Sequence, residues 1–229
     1  RIGVDVKAYI EDDGKSGIQA GSVSLLARDV STIDALAQAA SIAAGIGGVG
    51  VAIAISQSLA ENTITSQVQA SITNATLTTT SGNVGVVADE SAEIEATTQA
   101  ASLAVGLGGA AGVAVTGAGA KANNTILTNT NAFVSGSTLV SAGDVVIESN
   151  NDSLIHATII AAAVSVAVSG TAGVGASIGA AEASNIIGFS DSDSSKATHN
   201  SSDQISQLNK GETVAITSGS LEGQLYEYL

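Results

Sequence analysis

Cysteine, methionine, tryptophan and proline are all missing from this 229-residue chain, and only three Tyr and two Phe are present. Aromatic side chains are the usual bulk of a wide core, because each buries a large apolar area. Here 45% of the residues are hydrophobic, most of them Ala, Val, Ile and Leu, and 26 Gly are added to these. Such a composition excludes a core of large interlocking side chains and implies a thin one, with backbones close together. The lack of Cys removes disulfides, thiolate metal sites and cysteine nucleophiles together.

Positive charge is scarce as well: 7 Lys and Arg stand against 21 Asp and Glu, a formal net charge of −14. Phosphate neutralisation needs clustered Lys and Arg, so nucleic-acid binding is excluded as a function class, and an anionic membrane surface is disfavoured for the same reason. With only 12% charged residues, Ser, Thr and Asn carry most of the solubility. An acidic, Cys-free, Ser/Thr/Asn-rich chain fits a secreted bacterial protein, and the expected localisation is extracellular or at the bacterial cell surface. The chain opens on Arg1-Ile2-Gly3-Val4 and closes on Tyr226-Glu227-Tyr228-Leu229, so both ends read as cut from something longer. The longest apolar stretch, Ile159 to Val168 with Ser165 inside it, has the length of a buried strand and is too short to span a bilayer. Membrane insertion is therefore not expected.

Self-similarity dominates what is present. Gly21-Ser22-Val23, Gly82-Asn83-Val84 and Gly143-Asp144-Val145 recur at a spacing of 61 residues. Ile33, Ile94 and Ile155 keep that spacing, as do Ala35, Ala96 and Ala157, and Ala39, Ala100 and Ala161. Asn62, Asn124 and Asn185 follow, each two residues before an Ile, with one residue gained in the second copy. Ala8-Tyr9-Ile10 aligns with Ala70-Ser71-Ile72. The division expected is the end of a preceding repeat at 1–20, repeats at 21–81 and 82–142, and a partial repeat at 143–188. A Ser/Asp/Asn-rich linker at 189–209 and the start of a further β unit at 210–229 complete it.

Period-two alternation points to strands. It is clearest in Val49-Gly50-Val51-Ala52-Ile53-Ala54-Ile55 and Val164-Ser165-Val166-Ala167-Val168, where large β-branched residues face one way and Gly, Ala or Ser the other. The small face admits a close second sheet; the Val/Ile face is expected to bury its β-branched groups. Glycine clusters at 45–50, 106–112 and 170–175 read as bends. Ser31 to Ala44 is Ala-rich, and Ser31 with Asp34 resembles a helix capping box, so a glycine-zipper helical hairpin is the competing reading. The equivalent copies carry Thr97, Thr98, Thr158 and several Ile and Val, which favour strand. The fold class expected is all-β: a repetitive, β-solenoid-like array of 61-residue repeats with long alternating strands and Gly/Ala-rich bends.

The run Gly-Asn-Val-Gly-Val-Val-Ala-Asp at 82–89, the Ala/Gly/Val segment after it and Asn-Thr-Ile at 124–126 resemble repeats of giant secreted bacterial exoproteins. These are the haemagglutinin-like and adhesin-like, repeats-in-toxin-type surface proteins. Lys210-Gly211-Glu212-Thr213-Val214-Ala215-Ile216 through Tyr228 is similar to a linker motif of the same proteins. The resemblance implies an extracellular β-solenoid with an adhesive or scaffolding role, and it carries over no catalytic residue.

Candidate sites are few. His156 has Asp34 and Glu95 as its equivalents, which marks a solvent-facing position, and His199 sits in a polar segment. Asp191 and Asp193, with Ser192 and Ser194, offer alternating oxygen ligands for Ca²⁺, the one cofactor considered. An EF-hand loop would need Gly sixth and Glu twelfth; counted from Asp191 those places hold Lys196 and Ser202. Glu11-Asp12-Asp13-Gly14 is a second acidic group, and solvated loop charge is the preferred account of both. The column Asn62, Asn124 and Asn185 reads as an amide ladder between stacked repeats, or as left-handed turn residues.

The function expected is structural and not enzymatic: a surface or matrix fibre built by stacking β repeats. The alternative is a rigid adhesin stalk presenting a tip elsewhere. A polysaccharide-processing β-helix enzyme would need carboxylates or basic residues gathered on one face, and here the acidic residues are scattered. Partners expected are neighbouring repeats or further copies, with cell-surface or polysaccharide ligands.

Overall fold

The computed structural model describes residues 1–12, 16–188, 197–204, 207–210, 212–217 and 225–227. Among them every regular element is a strand, and Ser31 to Ala44 is strand as well. The alternation of small and β-branched residues thus prevails over the Ala-rich helical reading. Two strands are very long: β3 spans Val23–Thr73 and β5 spans Val84–Ser135. Around them lie β1 (Ile2–Glu11), β7 (Val145–Ser169) and β8 (Ala172–Gly188). All pair in parallel in the order β1-β3-β5-β7, with β8 also against β5. A second parallel sheet joins the short β2 (Ile18–Ala20), β4 (Thr76–Thr79) and β6 (Thr138–Val140). A third contains β9 (His199–Asn200), β10 (Thr213–Ala215) and β11 (Leu225–Glu227). The parallel, all-β arrangement is compatible with a β-solenoid-like fold.

Pairing follows a constant offset. Val23 lies beside Val84 and Val84 beside Val145; Ile33, Ile94 and Ile155 form one row, as do Ala39, Ala100 and Ala161. The register shifts by one residue between Gly47 and Val49, so that Asn62 lies beside Asn124 and Ile64 beside Ile126. The extra residue of the second copy is therefore absorbed at the glycine cluster, where a bulge disturbs the fewest side chains.

Each long strand doubles back on itself at that cluster. A Cβ on Gly45 would run into the Val51 carbonyl oxygen, and one on Gly106 into that of Val113. Further from the bend the two arms still face each other: the Ser66 hydroxyl donates to Asp29 at 3.0 Å. In the next layer Gly175 stands against Ser165 and Gly179 against Ala161. The first two layers are arches of two arms, more than twenty residues long apiece, and the third sets β7 against the 17-residue β8. At ~3.3 Å per residue such arms run for roughly 70 Å. The short strands β2, β4 and β6 close the arch at its base.

The core follows from this shape. Near the base Ile64, Val68, Ile72, Leu77, Val84, Val86, Ile94 and Ile126 are buried. Near the bend the buried hydrophobic residues are Ala52, Ala54, Ala104 and Ala114. The expectation that the Val/Ile face of the glycine-rich segment is buried is corrected here: Val51, Ile53 and Ile55 are 54%, 61% and 71% exposed. Where the arms meet closely only small residues fit between them, and strict alternation then turns the large neighbours outward.

Candidate functional site: an amide ladder and an inside-out tip

Four residues nearer the bend than Ser66, Asn62 points between the arms. Its side-chain amide donates to Asn124 Oδ1 at 2.8 Å, and the Asn124 amide donates to Asn185 Oδ1 at 2.8 Å. Asn124 is fully buried and Asn62 nearly so. Parallel, in-register stacking sets equivalent side chains one strand spacing apart, ~4.8 Å, which suits an amide handing its N–H to the next carbonyl. Asp12 and Asn74 are the non-glycine residues with positive φ among the described residues, so the three ladder residues do not serve as left-handed turns.

Beyond the ladder the arch changes character. No charged residue occurs between Asp34 and Glu61, between Glu95 and Lys121, or between His156 and Glu182. Asp34, Glu95 and His156 lie side by side and exposed on the outer face of the first arm. Lys121 and Glu182 mark the returning arm, 2.9 Å apart and solvent-exposed. From this charged rim to the bend, the outer faces carry Ile42, Ile46, Leu103, Leu107, Val164 and Val166, all exposed. Even in the middle layer, covered on both sides, Leu103 keeps 36% of its surface in contact with solvent. Ala40, Ile42, Ala101, Leu103, Ala162 and Val164 line a shallow apolar groove of about 330 Å³ running across the layers. Inside the same tip Ser102, Thr98 and Thr116 are buried with hydroxyls lacking a hydrogen-bond partner.

The remaining candidate residues are placed as follows. Asp191 and Asp193 lie outside the described residues. Glu11 ends β1 and Asp12 follows it with φ of 51°, while Asp13 and Gly14 lie outside the described residues. His199 belongs to β9 and pairs with Val214, and its Nε2 is 3.4 Å from Glu212 Oε2. The Glu212 carboxyl is held below its ordinary pKa, first by the side-chain amide and backbone N–H of Asn209, then by His199. Among the described residues no three His, Asp or Glu side chains gather as a metal cluster, and no helix is long and apolar enough to cross a membrane.

The chain matches no protein-family model, no curated protein and no solved structure.

Proposed function

We propose that this chain is a structural segment of a large extracellular bacterial protein, in which each 61-residue repeat is one coil of a solenoid and stacked coils build a surface or matrix fibre. The observation that carries this reading is the pairing of like with like over long arms. Ala35, Ala96 and Ala157 share a row, and so do Ala39, Ala100 and Ala161. Any further copy of the repeat presents the same edge pattern, so the array extends by adding layers, each stabilised by its neighbour. Residues 23–63 of β3 are paired on one side among the described residues, as are β7 and β8. Long unpaired edges of this kind template the addition of strands.

The resemblance of residues 82–89 and 124–126 to haemagglutinin-like and adhesin-like exoproteins supports an extracellular setting. The apolar outer faces of the tip favour a fibre over an isolated adhesin stalk. Contiguous exposed apolar surface marks association, and a second array meeting it sideways would cover Ile42, Leu103 and Val164 together. Negative-stain electron microscopy of the purified chain, beside its sizing profile, tests the choice. Regular filaments that thicken sideways are expected; discrete elongated monomers at all concentrations would leave the stalk as the better account.

A further inference from the structure

One group inside the arch is left without a partner. Glu90 points between the arms of the middle layer, is completely buried, and neither of its carboxylate oxygens accepts a hydrogen bond. Directly beside it in the first layer is Asp29, and beside it in the third is Asn151. Strand spacing alone sets Glu90 about 4.8 Å from the backbone of its acidic neighbour.

The nearest hydrogen bonds run to its neighbours. Ser31 and Ser66 both donate to Asp29 Oδ2, at 2.7 and 3.0 Å. The Asn151 amide donates to the hydroxyl oxygens of Thr128 and Thr130, at 2.6 and 3.3 Å. On the outer face Asp89 is paired with Arg28 at 3.2 Å, so no cation among these residues reaches the interior. Two carboxylates thus lie side by side between the arms, and neither oxygen of the buried one has a hydrogen-bond partner. Burial first, and the charge of Asp29 next, push the Glu90 carboxyl up to about 7, against a smaller downward pull from the Ser66 hydroxyl nearby.

We propose that Asp29 and Glu90, with the hydroxyl oxygens of Ser66 and Thr128 opposite them, form an internal site for a hard divalent cation, best suited to Ca²⁺. A proton on Glu90 neutralises one charge and leaves its second oxygen unpartnered. A divalent ion balances both carboxylates and engages both Glu90 oxygens together. Ca²⁺ accepts irregular sets of oxygen ligands, whereas Mg²⁺ demands a near-ideal octahedron. Two carboxylates and neutral hydroxyls place the site in the weak range of extracellular modules, with a Kd on the order of 10⁻⁴ to 10⁻³ M. The ion would tie the first two layers together from within, unlike an ion held in a surface loop.

Thermal unfolding of the full chain, stripped with a chelator and measured above the Glu90 titration, tests the proposal. Millimolar Ca²⁺ should raise the wild-type midpoint progressively, as expected for a ligand bound by the folded state. Glu90→Gln and Asp29→Asn should not respond. Without Ca²⁺, Glu90→Gln should melt above the wild type, because the unpartnered charge is gone. The sign of the pH effect is fixed too. Glu90 holds its proton to about 7 when folded and releases it near 4.5 when unfolded. The wild type without Ca²⁺ therefore loses stability as pH rises across that window, and Ca²⁺ should flatten the slope. A wild-type midpoint indifferent to Ca²⁺ would overturn the proposal and leave a proton shared between the two acids. An equal Ca²⁺ response in Glu90→Gln would also overturn it, and would move the ion elsewhere on the chain.

Discussion

The base and the tip of the arch use one alternation in opposite senses. At the base the inward positions hold Ile64, Val86, Ile94 and Ile126, and the outward ones hold Asp89, Glu93 and Glu95. At the tip the inward positions hold Ala52, Ala54, Ala104 and Ala114, and the outward ones Val51, Ile53, Leu103 and Val115. The distance between the arms, not hydropathy, decides which residue faces in. Where the arms are apart, large aliphatic groups fill the gap; where the bend draws them together, nothing larger than Ala, Ser or Thr lies between them. The base therefore stabilises the arch by burial. The tip gives up the roughly 1.5–3 kcal/mol that burying each Val, Leu or Ile would contribute, and its outer surface is left free to associate.

The largest expected break in this comparison is at the bend. Gly106→Val places a side chain against the Val113 backbone carbonyl, which no side-chain rotation relieves. A loss of at least about 3 kcal/mol is expected, read as a collapse of the thermal transition with loss of the β signal in circular dichroism. Next comes a matched pair: Ile94→Ala at the base should cost about 2–5 kcal/mol. Leu103→Ala on the outer face of the tip should stay within roughly 0.5 kcal/mol. Chemical denaturation of both reads the difference, and equal losses would dissolve the distinction between the two regions. Asn124→Ala leaves the Asn62 amide without its acceptor and Asn185 Oδ1 without its donor, at about 1–3 kcal/mol for each group stranded. The smallest change has the opposite sign. Ser102→Ala removes a buried hydroxyl with no partner and should stabilise the chain by about 1 kcal/mol, seen as a raised thermal midpoint.

Much of the strand content was legible because alternation and spacing act locally. The row of Ile33, Ile94 and Ile155 follows from counting, and so does the neighbourhood of Asn62, Asn124 and Asn185. The inverted tip was not legible, because hydropathy alone assigns Val51, Ile53 and Ile55 to an interior. Only the approach of Gly45 to Val51 shows that the space is taken. Glu90 was missed for a different reason. It sits in phase with Ala88, Ala92 and Ile94 and at the same spacing from Asp29, so its inward direction was readable. Asp191 and Asp193 show a ligand spacing within three residues of sequence, whereas Asp29 and Glu90 are far apart in the chain and meet only through the register.

Parallel, in-register stacking of the arms is the central claim, and a chain without Cys offers a direct test. Gln38 and Gln99 are neighbours on adjacent strands of the outer face, their side chains 3.2 Å apart. Adjacent parallel strands separate such residues by ~4.8 Å, within the range a disulfide bridges. The double variant Gln38→Cys/Gln99→Cys should oxidise readily to an internal cross-link. Gln38→Cys/Ala100→Cys, whose second thiol points into the buried interior, should remain reduced under the same conditions. Cross-linking of the second pair in preference to the first would mean a register slipped by one residue, and would contradict both the ladder and the inside-out tip.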